Sequence, residues 1–224
     1  MKRVFFVFGI FLIVFLNSCT KEKETVYSCN ESVDEFVKTN LREFGNISYD
    51  TLITYDIEYQ KGIFNSVSSQ KKCDLWIEKL NRTLLLEWTN EEEAHIQELR
   101  DLMNADWYDI EINESLMIQR DNYLQSWRSR GVNIVGFDDR MLFSIAGRID
   151  IPVNPEEPAS MMQTELGGGS SVGVGDPQQD CDCSQGDDWC WGSTDCLDET
   201  CSGSAHGCGT VWTHGCDGNC GADI

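Results

Sequence analysis

The chain has few basic residues and very few histidines. Its 224 residues include 17 Lys and Arg, 3 His and 38 Asp and Glu, so the formal net charge is −21. No Lys or Arg follows Arg148. An acidic surface of this kind repels nucleic acid and anionic lipid headgroups. The composition therefore excludes nucleic acid as a partner.

The sequence also lacks the short motifs that mark common enzyme sites. It contains no H-E-x-x-H, no G-x-S-x-G and no phosphate-binding glycine loop. His95 lies in a Glu-rich predicted helix, where we expect a solvated or half-buried side chain. A carboxylate pair for glycoside cleavage stays open as an alternative, although nothing singles out two of the many acids. We predict that the protein is not an enzyme and has no cofactor.

Long apolar runs are missing except at the N-terminus. Val4–Leu16 is uncharged and shorter than the roughly 20 residues that span a bilayer. It has the length of a signal-peptide core. The following Leu16-Asn17-Ser18-Cys19 resembles a bacterial lipobox. The resemblance implies that residues 1–18 are a signal peptide and that Cys19 is lipidated; a plain secretory signal and an uncleaved anchor are the alternatives.

The residues after Cys19 are interpreted as a tether, residues 19–29. Thr20-Lys21-Glu22-Lys23-Glu24 resembles the charged surface-export signal of lipoproteins in the Bacteroidota. This resemblance implies a lipid-anchored protein of the cell envelope, exposed on the outer membrane. A simple solvated tether is the alternative.

Residues 30–150 predict a helical domain. Apolar residues recur at three- and four-residue spacing over 33–44 and 75–84, as on one face of a helix. Thr89-Asn90-Glu91-Glu92 has the form of a capping box, which begins a helix. No segment shows long strand alternation. The predicted fold class is mainly α: an irregular bundle of five or six helices, then a linker and a small disulfide-rich module with little regular structure.

Residues 151–175 predict the linker. Pro152, Pro155 and Pro158 disfavour helix, and 167–175 is nearly all Gly, Ser and Val. The linker predicts that the helical domain and the C-terminal module, residues 176–224, are separate.

Eleven cysteines in an exported chain indicate disulfides. With Cys19 set aside for lipid, Cys29 and Cys73 predict one bridge between the N-terminal arm and the third helix, with two buried free thiols as the alternative. The C-terminal module has few aliphatic residues, so we expect covalent bridges to replace a large core. Its eight cysteines allow 105 pairings and leave the connectivity open; they are Cys181, Cys183, Cys190, Cys196, Cys201, Cys208, Cys216 and Cys220.

Zinc binding is the main alternative for these cysteines. His206-Gly207-Cys208 and His214-Gly215-Cys216 form a small repeat of zinc-ligand residue types. The sequence has no C-x₂-C unit, and an oxidising compartment consumes thiols. We predict no metal site, and we expect both histidines in surface loops between disulfides.

The module's tryptophans have two interpretations. Trp189, Trp191 and Trp212 are its only large apolar side chains, so packing against disulfides is expected for at least one. Alternatively, Trp189 and Trp191 form a recognition patch beside Asp187 and Asp188, since Trp is enriched at binding hot spots. We predict all three as candidate binding residues.

The cysteine-rich end resembles the bacteriocin fulvocin C-related family. The resemblance rests on Cys181-Asp182-Cys183-Ser184, Asp188-Trp189-Cys190, Gly207-Cys208-Gly209-Thr210 with Trp212, Cys216, and Gly218-Asn219. Residues 73–80 and 89–92 are also similar to that family. This resemblance implies a bacteriocin-like role, which is the inhibition of competing bacteria. The C-terminal module would be the effector, either on the intact chain or after release. Since the module has no Lys or Arg, such a role needs a protein receptor or a specific envelope component. The alternative is a non-toxic surface lipoprotein whose module is a binding or structural unit.

Overall fold

The structure, a computed structural model, describes residues 25–28, 30–109, 111–150, 153–154, 183–190, 195–197 and 204–221. The predicted signal peptide, the lipidation site Cys19 and the tether up to residue 24 lie outside these residues. So do Cys29, Cys181, Trp191, Cys201 and the linker apart from residues 153–154. Among the described residues, no helix combines the length and apolar character that a membrane span requires.

The fold is mainly α, as predicted. The described part of the chain contains seven α-helices, and two of them are single turns, so five longer helices form the bundle. The helices are α1 (Glu31–Phe44), α2 (Tyr49–Leu52), α3 (Ile57–Ser66), α4 (Ser69–Thr83), α5 (Asn90–Leu102), α6 (Glu114–Arg130) and α7 (Asp139–Leu142). A 3₁₀ turn at Ala105–Tyr108 packs against α4, and π-helical turns follow α6 and α7 at Gly131–Val135 and Phe143–Gly147.

Short polar side chains begin most of these helices. Asn30 caps α1, and its side chain accepts from the backbone N–H groups of Ser32 and Val33. The predicted capping box of α5 is present: the Thr89 side chain accepts from Glu92 N, and the Glu92 carboxylate accepts from Thr89 N. These local signals explain why the helix starts are readable from sequence.

The helices enclose a core that the apolar periodicity only partly predicts. Trp76, Leu80 and Trp127 are fully buried at its centre. Leu102 of α5 and Leu116 of α6 are apolar but are 48% exposed each. Leu102 is the last residue of α5 and Leu116 is in the first turn of α6, where neighbouring helices do not cover the face.

The described part of the C-terminal region has little regular structure. β1 (Asp195–Leu197) and β2 (Asn219–Gly221) pair antiparallel, with Cys196 opposite Cys220. A 3₁₀ turn covers Thr210–Trp212. We call residues 183–190, 195–197 and 204–221 the C-terminal segment.

The C-terminal segment shares one hydrophobic core with the helices. Trp189, Val211 and Trp212 belong to the same buried cluster as Trp76 and Trp127. This finding differs from the expectation of two separate modules. The physical reason is that the segment's few large apolar side chains are buried against the helices rather than against the disulfides.

The predicted Cys29–Cys73 bridge is wrong, because Cys73 is not in a disulfide. It is a free thiol, buried in the core on the inward side of α4. Burial, and then the charge of Asp74, raise the pKa of this thiol to about 11. A buried, protonated thiol is inert, which matches the alternative stated for this residue.

Candidate functional site: the docked C-terminal segment

Three disulfides hold the C-terminal segment together. They join Cys183 to Cys196, Cys190 to Cys220, and Cys208 to Cys216. The predicted disulfide state of these six cysteines is confirmed, and the structure supplies the pairing that the sequence left open.

Asp188 ties the first two bridges together through the backbone. Its carboxylate accepts hydrogen bonds from Cys190 N at 2.6 Å and from Cys196 N at 3.0 Å. These contacts order two cysteines that lie in different disulfides. Asp188 therefore has a structural task, which leaves it poorly placed for a recognition patch.

The third bridge closes a tight loop, residues 206–216, which we call the docking loop. Cys208 and His214 exchange two backbone hydrogen bonds inside it, at 3.1 and 3.0 Å. Val211 and Trp212 at its tip have φ of 47° and 56°. A left-handed conformation costs an L-residue about 1–2 kcal/mol, and β-branched Val adopts it rarely. The loop therefore holds its tip in a conformation that the tip would not adopt alone.

This conformation places Trp212 inside the helical domain. The indole is 1% exposed, and its ring lies edge-on to Phe64 and Trp76, with ring centres 5.2 and 5.9 Å apart. The indole N–H donates to Gly147 O at 3.0 Å. Tyr108 donates its hydroxyl to Val211 O at 2.9 Å, so the backbone of the tip is paired as well.

Trp189 packs against a second part of the helical domain. It is 7% exposed, and the Arg128 guanidinium lies 3.9 Å from its ring centre, within cation–π range. Its indole N–H donates to Thr210 Oγ1 at 3.2 Å. Trp189 and Trp212 thus follow the packing interpretation, with helices rather than disulfides as the packing surface, and neither offers an exposed face to an outside ligand.

Charged side chains surround the docking loop on the α6 side. His214 Nε2 lies 3.3 Å from an Asp121 carboxylate oxygen, and Asp187 pairs with Arg128 at 3.6 Å. Burial raises the pKa of Asp121, but its contacts with His214 and Arg120 outweigh burial and lower the pKa below its ordinary value. His214, predicted in a surface loop, is therefore half-buried at an electrostatic contact between segment and helix.

A buried pair of basic side chains lies on the other side of the loop. Lys72 Nζ is 3.2 Å from His206 Nδ1, and both residues are 4% exposed. Burial lowers the pKa of Lys72 to about 8. Burial first, and then the positive charge of Lys72, lower the pKa of His206 to about 3. His206 is thus neutral at neutral pH and accepts from Lys72, which corrects its predicted surface position.

Asn65 holds the backbone of His206 in this position. Its side-chain oxygen accepts from His206 N at 3.0 Å, and its amide donates to His206 O at 3.2 Å. The Asn65 side chain thus pairs with both the N–H and the C=O of His206, as a neighbouring β-strand would. This pairing explains how His206 stays buried against a lysine.

Lys61 is the cation nearest to a disulfide among the contacts of the docking loop. Its Nζ lies 3.6 Å from Cys208 Sγ and 3.5 Å from Cys216 Sγ. Its aliphatic stem packs on Gly207, whose φ is 119° and where a Cβ would lie 3.2 Å from Lys61 Cγ. The ammonium group is therefore positioned by the fold at the bridge that closes the loop.

The sulfur atoms of the segment also form groups of metal-ligand size. Those of Cys183, Cys190 and Cys196 lie within 4.8 Å of one another, as do ligand atoms of Asp188, Cys190 and Cys220. Zinc binds thiolate sulfur. Because these sulfurs are joined in disulfides, they offer no thiolate, and the absence of a metal site stays a prediction.

No sequence pattern indicated the helical half of this site. Lys61 and Lys72 lie 147 and 134 residues before their partners in the docking loop. Neither belongs to a motif, and a lysine in an amphipathic helix is ordinarily solvated.

Comparison with known proteins finds no family model, no curated protein and no solved structure that matches this chain.

Proposed function

We propose that this chain is an exported, lipid-anchored bacteriocin-like protein of the fulvocin C-related kind. In this proposal the helical domain carries the C-terminal segment in a docked form, and the segment inhibits competing bacteria after it is released. The observation that carries the proposal is the burial of Trp189 and Trp212 against the helices. The segment's large apolar side chains are thereby hidden until it leaves its carrier. No enzymatic activity is part of the proposal.

The segment's charge indicates the kind of target. The chain has no Lys or Arg after Arg148, so the segment lacks electrostatic attraction to anionic membranes. A protein receptor or a specific envelope component is therefore the proposed target. Indole rings that become exposed on release are suited to such contacts.

The test is growth inhibition before and after release from the full chain. A specific protease site is inserted within residues 155–175, and the purified chain is applied to related and unrelated bacteria before and after cleavage. Size-exclusion chromatography measures whether the cleaved segment separates. We expect inhibition only from the separated, oxidised segment.

Two controls make this test specific. A chain with a scrambled, uncleavable insert and the same protease controls for the insertion and the enzyme. A reduced and alkylated sample controls for the disulfide fold. Separation without inhibition of any strain would contradict the effector role.

The second candidate function is a non-toxic surface lipoprotein in which the segment is a structural or binding part. The shared core of helices and segment favours it, because an integral part of a fold is not normally released. Inertness of the separated segment would support this candidate.

The lipid anchor has its own test. Replacement of Cys19 by Ser removes the acylation site, so we expect the protein to move from the membrane fraction to the soluble exported fraction. Labelling with a fatty-acid analogue measures the modification directly, and Cys73→Ser is the matched control because Cys73 is buried. Equal labelling of the Cys19→Ser chain would contradict lipidation at Cys19.

A further inference from the structure

The disulfides of the C-terminal segment differ in their charged neighbours. Lys61 Nζ lies 3.6 and 3.5 Å from the sulfurs of Cys208 and Cys216. By contrast, an Asp188 carboxylate oxygen lies within 4.8 Å of the Cys190 and Cys220 sulfurs. Reduction of a disulfide creates thiols that ionise, and a nearby cation favours the thiolate while a nearby anion disfavours it. The surroundings therefore favour reduction of Cys208–Cys216 over Cys190–Cys220.

The backbone conformation of the docking loop also favours reduction of Cys208–Cys216. Its tip holds Val211 and Trp212 in the left-handed region, a strained conformation that the closed loop maintains. Opening the bridge lets both residues return to ordinary conformations. The Trp212 side chain is then no longer directed between Phe64 and Trp76.

We propose that Cys208–Cys216 is a redox-labile disulfide, reduced by dithiols in preference to the other two bridges, and that its reduction releases Trp212 from the helical core. Lys61 acts here as a positioning residue that stabilises the departing thiolate. The proposal goes beyond the antibacterial role, and only its use as a release step rests on that role.

The chemistry is an ordinary thiol–disulfide exchange. One thiolate of the dithiol attacks Cys208 Sγ, the Cys208–Cys216 bond breaks, and its electron pair leaves on Cys216 Sγ beside Lys61. The second thiolate of the dithiol then attacks the mixed disulfide and expels Cys208. The dithiol is oxidised to a disulfide by two electrons, and the two cysteines take up the protons that the dithiol loses.

Access to this bridge requires an opening of the loop. Cys208 is 4% exposed and Cys216 is 1% exposed. Cys208 is the less buried of the two residues, and the rate of attack depends on loop opening. An equilibrium measurement removes this dependence, because it reports only the free energies of the oxidised and reduced states.

The experiment equilibrates the full chain in buffers of reduced and oxidised dithiothreitol at pH 8. Alkylation traps the thiols, and mass spectrometry of peptides gives the fraction of each bridge that is reduced. We expect Cys208–Cys216 to be reduced under the least reducing conditions. Tryptophan fluorescence of the same samples should shift to the red as this bridge opens, while far-UV circular dichroism keeps its helical signal.

Replacement of Lys61 separates the electrostatic role from a packing role. Lys61→Met keeps the aliphatic stem over Gly207 and removes the charge. We expect it to lower the equilibrium constant for reduction of Cys208–Cys216 roughly threefold at pH 8, the effect of about one pKa unit on a thiol whose ordinary pKa is about 8.5. Lys61→Arg keeps a charge and serves as the matched control. The Cys183–Cys196 and Cys190–Cys220 bridges serve as controls within the same molecule.

Three results would overturn the proposal. If Lys61→Met makes the bridge easier to reduce, the Lys61 ammonium group stabilises the closed loop rather than the departing thiolate. If Cys208–Cys216 is reduced last, or is reduced without a change in fluorescence, it is not a latch for Trp212. No growth assay enters this experiment, so its failure and the failure of the antibacterial role are distinguishable.

Discussion

At the scale of single residues, Trp212 contributes most to the docking of the C-terminal segment. It is the segment's largest fully buried side chain, and its indole N–H has a backbone partner. Lys61, Lys72 and Asn65 surround the loop that carries it. Each acts on one atom group of the loop, so substitutions here have separable effects.

Trp212→Ala is expected to destabilise the protein by about 3–5 kcal/mol, because it removes a fully buried aromatic ring and leaves a cavity between Phe64 and Trp76. Denaturant unfolding of the full chain measures the loss. Leu85→Ala is the control, since Leu85 is 84% exposed and its truncation should change the free energy of unfolding by less than about 0.5 kcal/mol. A similar small loss for both variants would show that the indole is not docked.

Because His206 is buried in its neutral form, we expect the free energy of unfolding to fall at acidic pH. The pKa of His206 is lowered to about 3 in the fold from the ordinary value of 6.5, so the folded form resists protonation. The stabilisation is therefore complete above pH 6.5 and is lost as the pH falls toward 3, at up to about 1.4 kcal/mol per pH unit. Unfolding midpoints between pH 7 and pH 4 measure this slope.

The groups that face His206 allow a control. Lys72 contacts it, and the charges of Arg120 and His214 also lower its pKa. His206→Gln removes the titration and should flatten the pH dependence, whereas His95→Gln tests another buried histidine away from the loop. An unchanged slope in His206→Gln would assign the acid sensitivity to other groups.

At the scale of elements, the close approach of α1 and α3 supports the surface on which the loop docks. A Cβ at Gly62 in α3 would lie 2.9 Å from Val33 Cγ1 and 3.2 Å from Val37 Cγ2. No side chain larger than hydrogen fits without moving α1. Since α3 also carries Lys61, Phe64 and Asn65, its seat against α1 sets the position of three docking contacts.

Gly62→Ala should therefore destabilise the fold by about 1–3 kcal/mol, because the overlap with α1 outweighs the gain in helix propensity. Gly45→Ala is the matched control: Gly45 has φ of −52°, and its Cβ would meet only backbone oxygens at 3.7 and 3.8 Å. We expect no loss there, or a gain of up to about 1 kcal/mol. Thermal unfolding of the two variants checks the contrast, and equal effects would contradict the tight α1–α3 contact.

At the scale of the whole molecule, the shared core predicts one cooperative unit. The buried cluster runs from the helices into Trp189, Val211 and Trp212, so neither part can lose its packing without exposing the other. Such a chain unfolds in one transition. Two separate modules would unfold in two.

This prediction is checked by comparing two signals in one denaturant titration of the oxidised full chain. Far-UV circular dichroism follows the helices, and the difference in fluorescence between the chain and its Trp212→Phe variant isolates the signal of Trp212 among the seven tryptophans. We expect coincident midpoints. A fluorescence change that precedes the loss of helical signal would show that the segment undocks independently.

The features that depend on neighbouring residues could be predicted from the sequence alone. The amphipathic helices, the capping box at Thr89 and the cysteine-rich end are local, and each has a periodicity, a short motif or a composition that favours it. The mainly α fold class and the disulfide state of six cysteines follow from such signals. The lipobox and the bacteriocin resemblance are also local patterns, and the predictions drawn from them remain to be tested.

The tertiary structure alone decided which distant residues meet. It paired the six cysteines, left Cys73 free, and buried Trp212 and His206 against helices more than 100 residues earlier in the chain. Lys61 and Lys72 have the same local pattern as any solvated helical lysine, so nothing near them distinguishes the disulfide or the histidine they contact. Such contacts arise from the common burial of apolar surface, which depends on the packing of the whole chain rather than on adjacent residues.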